Sequence, residues 1–405
     1  MHILIVSDGI FPFSMGGSHR LIYETCKVLQ GQGHRITCII PAIGKHVNIS
    51  HDGPETEQGL EFKVVRFPIG GQGLLSKFKS YFWGYRGPVE EVLRNDPADV
   101  INIHYMPALF SARKLSLTHK IYYTFHGPWA GEFRLSISGR MDGRPAFHRF
   151  LSGLVLEPFI YAVASRLERS LLKRCHRFMV LSDYMKTILC DVYGVKPSSV
   201  SIIPSGVNRR AFFPQEDKNF RKKIEIDKSV VLLTIRRLER RMGLDLLILA
   251  CAILKREFDD FVLLIGGKGI QFEYLLGLIK AQGLERNVRM VGFIPESDMR
   301  KYLTLANLFI LPSRDLEGFG LVVLESMACG TPVLVSPKGG PPEVVKLFDE
   351  ALVLTSLEPR DIAERLKTLI RSGSITKEQS TRCVEFVQKG YSWEKFSLQY
   401  LEWVK

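Results

Sequence analysis

Short apolar, β-branched runs alternate with segments of helical period along the whole chain. The apolar runs lie at residues 2–7, 35–41, 61–67, 100–104, 121–126, 178–182, 230–235, 261–266, 288–292, 308–312, 332–336 and 351–354. Because these runs are almost continuously hydrophobic and alternate with helical segments, they predict parallel strands covered by helices on both faces. Two successive series predict two doubly wound, Rossmann-like α/β domains, with ligands expected at the carboxyl ends of the strands.

The division between the two domains is predicted within residues 203–214. Pro204, Gly206 and Pro214 in this segment break any regular element. The N-terminal domain is therefore expected to span residues 1–203, and the C-terminal domain residues 204–390.

The end of the sequence, residues 391–405, has the spacing of an amphipathic helix. Its large aromatic side chains recur at intervals of 3, 4 and 3 residues and are Trp393, Phe396, Tyr400 and Trp403. Because an apolar stripe of this kind needs a partner surface, the helix is expected to dock on another part of the protein.

Composition narrows the class of protein. Hydrophobic residues make up 46% of the chain and charged residues 24%, which excludes a disordered or collagen-like chain. The apolar start runs directly into Ser7 and Asp8 without the features of a signal peptide, and no apolar run reaches the roughly 18 residues of a membrane span. The 7 cysteines are scattered and form no C-x-x-C motif, which favours a reducing compartment. We therefore expect a cytoplasmic protein.

The charge balance bears on partners. The chain has 55 Lys and Arg against 42 Asp and Glu, a net charge of +13, and basic residues cluster between Arg113 and Arg149. A basic surface attracts phosphate on a nucleic acid, an anionic membrane or a substrate, although a plain solvated surface is the alternative. The sequence contains no zinc-finger spacing, aromatic RNA-binding segment or basic heptad, so no nucleic acid partner is expected.

Residues 313–343 hold the most informative pattern. After an apolar strand, a turn carries Glu317, Gly318 and Gly320, and a helix is predicted from about residue 319 to residue 329. The glycines permit close approach of a ligand, and the N–H groups of a helix start attract a diphosphate without a metal. Glu317 and Glu325 would lie roughly 12 Å apart along a helix axis, too far to share a proton. They could hold two distant hydroxyl groups of one ligand, a sugar and a ribose. The alternative is that both are ordinary surface acids favoured by the helix dipole.

Two further loops suit a phosphate ligand. The strand at 230–235 is followed by four arginines in six positions, which favour bidentate phosphate contacts, although a surface cluster is the alternative; they are Arg236, Arg237, Arg240 and Arg241. The strand at 261–266 runs into Gly267, Lys268 and Gly269 without the spacing of a P-loop or of a dinucleotide fingerprint. A nicotinamide oxidoreductase is therefore disfavoured.

The first domain offers two more candidates. Gly16 and Gly17 follow the first strand and open a helix, either as a cradle for phosphate or sugar or as a simple turn. His126 lies at the end of a predicted strand, where a structural role is the alternative. The sequence has no D-x-D pair for a metal-bound diphosphate, so arginine, lysine and backbone N–H groups are expected to neutralise that charge without a metal.

Together these motifs resemble one known family. Glu317-Gly318-Phe319-Gly320 through Glu325 resembles the E-x7-E signature of retaining glycosyltransferase family 4, whose GT-B fold has two doubly wound Rossmann-like domains with a cleft between them. The resemblance extends over nearly the whole chain and includes Gly16-Gly17, 125–127, 202–208, 236–238, 291–295 and Gly339-Gly340 with Glu343.

The resemblance implies roles for individual residues. Three resemble catalytic residues of the family: Glu317 and His126, which would contact the donor sugar, and Arg237, which would bind phosphate. The donor-binding set that it implies comprises Gly16 and Gly17 near the diphosphate, Arg237, Arg241, Lys268, Ile294 at the nucleobase, Glu317, Gly318, Phe319, Gly320 and Leu321 at sugar and diphosphate, and Glu325 at the ribose. The family lysine is Met242 in this chain, and Arg241 is expected to take over its contact.

The implied reaction transfers a hexosyl unit from a nucleotide diphosphate sugar to an acceptor hydroxyl with retention, without cofactor or metal. A lipid-linked or saccharide acceptor at an anionic membrane surface, in glycolipid or cell-surface polysaccharide synthesis, is expected from basic and aromatic segments; these are Arg134, Arg140, Arg144, Arg149 and residues 73–85. The tail helix would pack on the first domain, as in relatives. The alternatives are a soluble small-molecule acceptor, a phosphorylase or sucrose-synthase-like transferase, and a catalytically inactive GT-B module that binds carbohydrate or membrane.

Overall fold

The computed structural model describes residues 1–42, 62–69, 74–132, 134, 157–373 and 377–405. The chain forms two compact units. Unit 1 contains the described residues of Met1–Arg134 and of 157–205, together with Trp393–Lys405, and unit 2 contains those of Gly206–Ser392. Each unit is built on one parallel sheet, as the alternation of apolar runs and helical segments predicts.

Unit 1 is a seven-stranded parallel sheet with the strand order β3-β2-β1-β4-β5-β6-β7. Its strands are β1 His2–Val6, β2 Arg35–Ala42, β3 Lys63–Pro68, β4 Val100–Ile103, β5 Ile121–Thr124, β6 Arg177–Val180 and β7 Val200–Ile202. Every residue of β1, β4 and β5 is buried, because helices cover both faces of the sheet centre. The helices are α1 Gly17–Gly31, α2 Leu74–Trp83, α3 Arg86–Asn95, α4 Met106–Ser111, α5 Glu157–Leu172 and α6 Asp183–Thr187.

The final helix, α15 (Trp393–Val404), belongs to unit 1. Its aromatic stripe is buried, and Tyr400 is completely covered. Polar bonds fix the helix as well: the Asn102 amide donates to the Tyr400 hydroxyl at 2.9 Å, and the Tyr122 hydroxyl donates to the Val404 carbonyl at 2.8 Å. The end of the chain therefore completes the apolar core of the first unit.

Unit 2 is a five-stranded parallel sheet with the order β10-β9-β8-β11-β12. Its strands are β8 Val230–Ile235, β9 Phe261–Gly266, β10 Val288–Gly292, β11 Leu308–Leu311 and β12 Val333–Val335. Its helices, numbered before the tail helix, are α7 Lys218–Lys223, α8 Leu244–Lys255, α9 Phe272–Ala281, α10 Glu296–Leu305, α11 Leu321–Ala328, α12 Pro341–Phe348, α13 Pro359–Arg371 and α14 Lys377–Gly390. Burial of all six residues of β9 matches its uninterrupted apolar sequence.

Two strand predictions differ from the structure. The predicted strand at 351–354 is wrong: a 3-10 turn, Glu350–Leu352, lies there, and only Val353 forms an isolated bridge, to Val335. The Asp349 carboxylate accepts from the Ala351 N–H and caps this turn, which competes with strand formation. Conversely, β7 was not predicted, because three residues carry almost no periodic signal.

Three global features of the described ranges bear on membrane, metal and disulfide chemistry. No helix there has the length and apolar content needed to cross a membrane. No group of three or more histidine, cysteine or acidic side chains in those ranges could hold a metal ion. All seven cysteines are free thiols, and five of them are buried.

Candidate active site

The loop between β11 and α11 in unit 2 carries Glu317. Gly320 adopts a left-handed φ of +75° immediately before α11, a conformation that costs glycine little. The helix therefore begins at Leu321, two residues later than predicted. Leu316 also has a positive φ, 54°, which is strained for a side chain with a Cβ. Strain of this kind persists only where surrounding contacts hold it.

Glu317 lies in a cluster of polar side chains with Arg236. The Arg236 guanidinium forms an ion pair with Glu317 Oε2 and donates to Ser313 Oγ at 3.0 Å. The Ser313 hydroxyl also lies 3.4 Å from Glu317 Oε2. Only 6% of the Arg236 side chain and 16% of the Glu317 side chain are exposed, so solvent weakens this charge pair less than a surface pair.

The other arginines after β8 have different surroundings. Arg241 donates from Nε to the Glu239 carboxylate at 3.1 Å and from a terminal nitrogen to the Leu316 carbonyl at 3.3 Å. The second bond holds the loop at its strained residue. The Arg237 side chain is 64% exposed and lies 3.4 Å from the Glu239 carboxylate. Arg237 is therefore the more accessible of the two predicted phosphate contacts.

The predicted glycine-rich loop after β9 packs tightly on the loop after β8. Gly267 has a φ of +133°, and a Cβ there would lie 1.8 Å from the Arg236 carbonyl oxygen, so no other residue fits. Lys268 accepts a backbone bond from Leu238 at 2.9 Å, and its amine lies 5.0 Å from the centre of the Phe293 ring. Ile294 and Glu325 are each 5% exposed. Buried Glu325 therefore does not fit the alternative of an ordinary surface acid.

Unit 1, described by itself, contains a histidine pair. β4 and β5 end at Ile103 and Thr124, which is earlier than predicted, so His104 and His126 lie in loops at the carboxyl edge of the sheet. His104 Nδ1 and His126 Nε2 are 3.1 Å apart. Burial lowers the pKa of His126 to about 4, with Asp8 opposing and His19 adding to that shift. Burial, followed by the neighbouring His126, also holds the pKa of His104 well below its ordinary value. Both rings are therefore neutral at neutral pH.

The glycine loop after β1 faces a second polar pair. Gly16 and Gly17 begin α1, and His19 in its first turn bonds the Asp8 carboxylate at 3.1 Å through Nε2. Burial would raise the pKa of Asp8, but the hydrogen bond and the charge of His19 outweigh it and lower that pKa. This arrangement places an ionised carboxylate and an imidazole beside the loop.

Glu168 on α5 supports the segment after His126. Its carboxylate accepts from the backbone N–H groups of Trp129 and Ala130 at 2.9 and 3.0 Å and from the Tyr193 hydroxyl at 2.7 Å. Glu168 is completely buried, which raises the pKa of its carboxyl, while the three hydrogen bonds act in the opposite direction. The side chain caps the helical turn that begins at Trp129 and so fixes the loop that carries His126.

Sequence reasoning named Arg236 only as one of four clustered arginines, and it missed His104 and Glu168. Arg236 stands beside Arg237 in a basic run, and the run does not say which side chain turns inward. His104 and Glu168 lie far from His126 in sequence. The polar ending of an apolar run at His104 was a usable signal, whereas Glu168 follows an ordinary helical pattern. The catalytic and donor-binding roles assigned to individual residues stay predictions.

Comparison with known proteins identifies the family. The model described as "Glycosyltransferase Family 4" matches residues 15–210, and the one described as "Glycosyl transferases group 1" matches residues 215–390. The chain belongs to glycosyltransferase family 4. The predicted family and the prediction of a glycosyltransferase are therefore confirmed.

Among curated relatives of this family 4 chain, mannosylfructose-phosphate synthase from Agrobacterium fabrum is 27% identical over 77% of the chain and 70% of the relative. A GDP-mannose-dependent phosphatidylinositol monomannoside mannosyltransferase from Mycobacterium tuberculosis is 25% identical over 56% of the chain and 60% of the relative.

Solved structures share the fold. Sucrose-phosphate synthase from Thermosynechococcus elongatus aligns with a TM-score of 0.78 at 20% identity, covering 99% of this chain and 97% of that one. HepE from Anabaena, solved with UDP and glucose, aligns with a TM-score of 0.75 at 18% identity, covering 99% and 98%. The predicted GT-B fold is confirmed.

Proposed function

We propose that the chain transfers a hexosyl group from a nucleotide diphosphate sugar to an acceptor hydroxyl with retention of anomeric configuration. The observation that carries this proposal is the Glu317 carboxylate, which is held by Arg236 and Ser313 directly before the start of α11. A carboxylate there accepts hydrogen bonds from sugar hydroxyls, while the helix start and the exposed Arg237 attract the diphosphate.

The leaving diphosphate gains negative charge as the bond to the sugar breaks. Arg237, Lys268 and the N–H groups at the start of α11 stabilise that charge more in the transition state than in the ground state, which accelerates transfer. The donor-sugar role that the family resemblance gives to His126 stays a prediction; its ring is neutral at neutral pH, so it would act as a hydrogen-bonding group and not as a charge. The acceptor attacks the face from which the diphosphate leaves, and a diphosphate oxygen takes the acceptor proton. Because the cationic side chains and the helix start neutralise the diphosphate, no metal is required.

The acceptor is a saccharide or a lipid-linked molecule at an anionic membrane surface, reached from the cytoplasm. Exposed apolar side chains on unit 1 support the membrane surface: Phe159 is 66% exposed and Val163 51% exposed on α5, and Trp83 at the end of α2 is 44% exposed. Arg134 lies 5.5 Å from the Tyr161 ring near the same helix. Arg140, Arg144 and Arg149 of the predicted basic cluster lie outside the described residues.

The names of two relatives favour phosphate-bearing acceptors of two kinds. One relative is named for a sugar phosphate and the other for a phosphatidylinositol mannoside. We propose the lipid-linked class first, because exposed apolar side chains beside basic ones are typical of an interface-binding surface. Sedimentation with anionic and neutral vesicles tests this class. Failure to bind anionic vesicles at low salt would favour a soluble acceptor.

A thermal-shift panel tests the donor site. UDP, GDP, ADP, TDP and their sugar conjugates are added with magnesium or with EDTA. We expect one nucleotide family to raise the melting temperature equally in both conditions, since occupied sites stabilise the fold by mass action. No shift with any nucleotide would contradict the proposal and favour a module that does not bind a donor. A shift seen only with magnesium would contradict metal independence.

A further inference from the structure

We propose that Arg236 is a second donor-site cation of this chain, one that supplies the positive charge absent at Met242 and fixes the orientation of Glu317. This inference rests on the proposed function, because it assigns a residue to that same donor site. The Arg236 guanidinium contacts both the Met242 sulfur and the Glu317 carboxylate.

The guanidinium lies directly on the side chain that replaces the expected lysine. One terminal nitrogen of Arg236 is 3.0 Å from Met242 Sδ, and the same nitrogen pairs with Glu317 Oε2. A thioether is a weak acceptor and carries no charge, so it cannot balance Glu317 or a phosphate. The cation at this place in the site therefore comes from Arg236, which reaches over Met242.

The neighbouring arginines are committed elsewhere. Arg241 is 11% exposed and divides its bonds between Glu239 and the Leu316 carbonyl. Arg237 points outward and lies near the same Glu239. Of these three side chains, only Arg236 contacts Glu317. The prediction that Arg241 replaces the family lysine is therefore less well supported by the geometry than replacement by Arg236.

The backbone of Arg236 holds the side chain in place. Its N–H donates to the Gly266 carbonyl at 2.9 Å, extending the pairing of β8 and β9 by one residue. Its carbonyl occupies the space that Gly267 leaves by lacking a Cβ. The N–H of Arg236 is thus bonded to the next strand and its carbonyl packs against Gly267, which holds the backbone from which the guanidinium projects.

This arrangement assigns separate tasks to the two oxygens of Glu317. Arg236 and Ser313 converge on Oε2, so Oε1 is the oxygen oriented toward a sugar hydroxyl. A guanidinium has five N–H donors in a rigid fork, and the bonds to Ser313 and Glu317 leave further donors for a diphosphate oxygen. Arg236 therefore links recognition of the sugar to recognition of the diphosphate.

The test uses the full chain and compares the affinity for a nucleoside diphosphate with that for its sugar conjugate by calorimetry. The wild-type protein is measured first: failure to bind any nucleotide overturns the proposed function itself. Given binding, we expect Arg236→Gln to weaken diphosphate binding and to remove the additional affinity due to the sugar. The value of kcat/KM should fall about 100-fold or more, the range for loss of one charge-stabilising donor.

Arg236→Lys separates charge from geometry. Lysine keeps the positive charge but lacks the fork, so we expect diphosphate binding to recover and the additional affinity due to the sugar to stay low. Arg256→Gln is the control, because Arg256 is exposed at the end of α8, outside the site, and should bind like wild type. If Arg236→Gln does not fold, Arg236→Lys alone still tests the inference.

A double-mutant cycle with Glu317→Gln excludes a merely structural role. If Arg236 acts through Glu317, kcat/KM of the double variant should lie well above the value expected if the two single losses multiplied. Multiplicative losses, or wild-type affinity for both ligands in Arg236→Gln and Arg236→Lys, would overturn the inference while leaving the donor site intact.

Discussion

The histidine pair of unit 1 gives a prediction whose size follows from its geometry. His104 is 5% exposed, its Nδ1 lies 3.1 Å from His126 Nε2, and its own Nε2 is buried with no hydrogen-bond partner in the described part of the chain. Since both rings are neutral, one hydrogen lies between them. A buried N–H without an acceptor is rarer than a buried acceptor without a donor, so we expect His104 to donate from Nδ1. His126 then carries its hydrogen on Nδ1 and presents that N–H as a donor.

Replacing His104 by Phe removes this bond. The acceptor nitrogen of His126 loses its donor, which costs about 1–3 kcal/mol for a buried polar group, and its preferred tautomer is no longer fixed. If the cost falls wholly on the transition state, kcat/KM drops about 5- to 150-fold. We expect His104→Gln, whose amide can donate, to recover part of the loss.

Steady-state kinetics and nitrogen NMR of the imidazole rings measure the two consequences. His119→Gln, at an exposed position, is the matched control and should behave as wild type. The reasoning is refuted if His104→Phe retains wild-type kcat/KM, or if NMR finds the His126 hydrogen on Nε2 in the wild-type protein.

Three further predictions concern stability. Glu168→Ala should lower the free energy of unfolding of unit 1 by about 3–5 kcal/mol in urea titration, because three donors, two of them buried, lose their acceptor; a loss below about 1 kcal/mol would contradict the capping role. Tyr400→Phe leaves the buried Asn102 amide without its acceptor and should cost about 1–3 kcal/mol by the same titration, whereas an unchanged midpoint would show that the bond is dispensable. Because the pKa of His126 is lowered to about 4, the unfolded state binds more protons than the folded state below about pH 6.5. The free energy of unfolding should therefore fall as pH drops from about 6.5 to 4. A melting temperature that stays constant across this window would contradict the prediction.

The fold could be predicted from the sequence because its signals are local and repeated. Uninterrupted apolar runs such as β9, joined by helical connections, predict parallel strands without any knowledge of the contacts between distant segments. The short β7 could not be assigned in this way, since three residues carry no period. The turn at Glu350–Leu352 could not be assigned either, because it depends on a hydrogen bond from the Ala351 N–H to the Asp349 side chain, which the hydrophobic pattern does not show.

The site was predictable only as far as its motif is contiguous. Glu317 and Glu325 lie in one segment, so their spacing carries the information. The inward turn of Arg236 depends on β8 pairing with β9 and on the space above Gly267, which are contacts between distant segments. The support that Glu168 gives to the His126 loop spans 38 residues or more and has no local pattern.

The most direct test of the central claim follows the anomeric carbon through the reaction. The protein is incubated with the nucleotide sugar that stabilises it and with an acceptor, and proton NMR records the configuration of the first product. We predict the same anomeric configuration in donor and product, with transfer abolished in Glu317→Ala while the nucleoside diphosphate still binds. An inverted product, or transfer that persists in Glu317→Ala, would contradict the account.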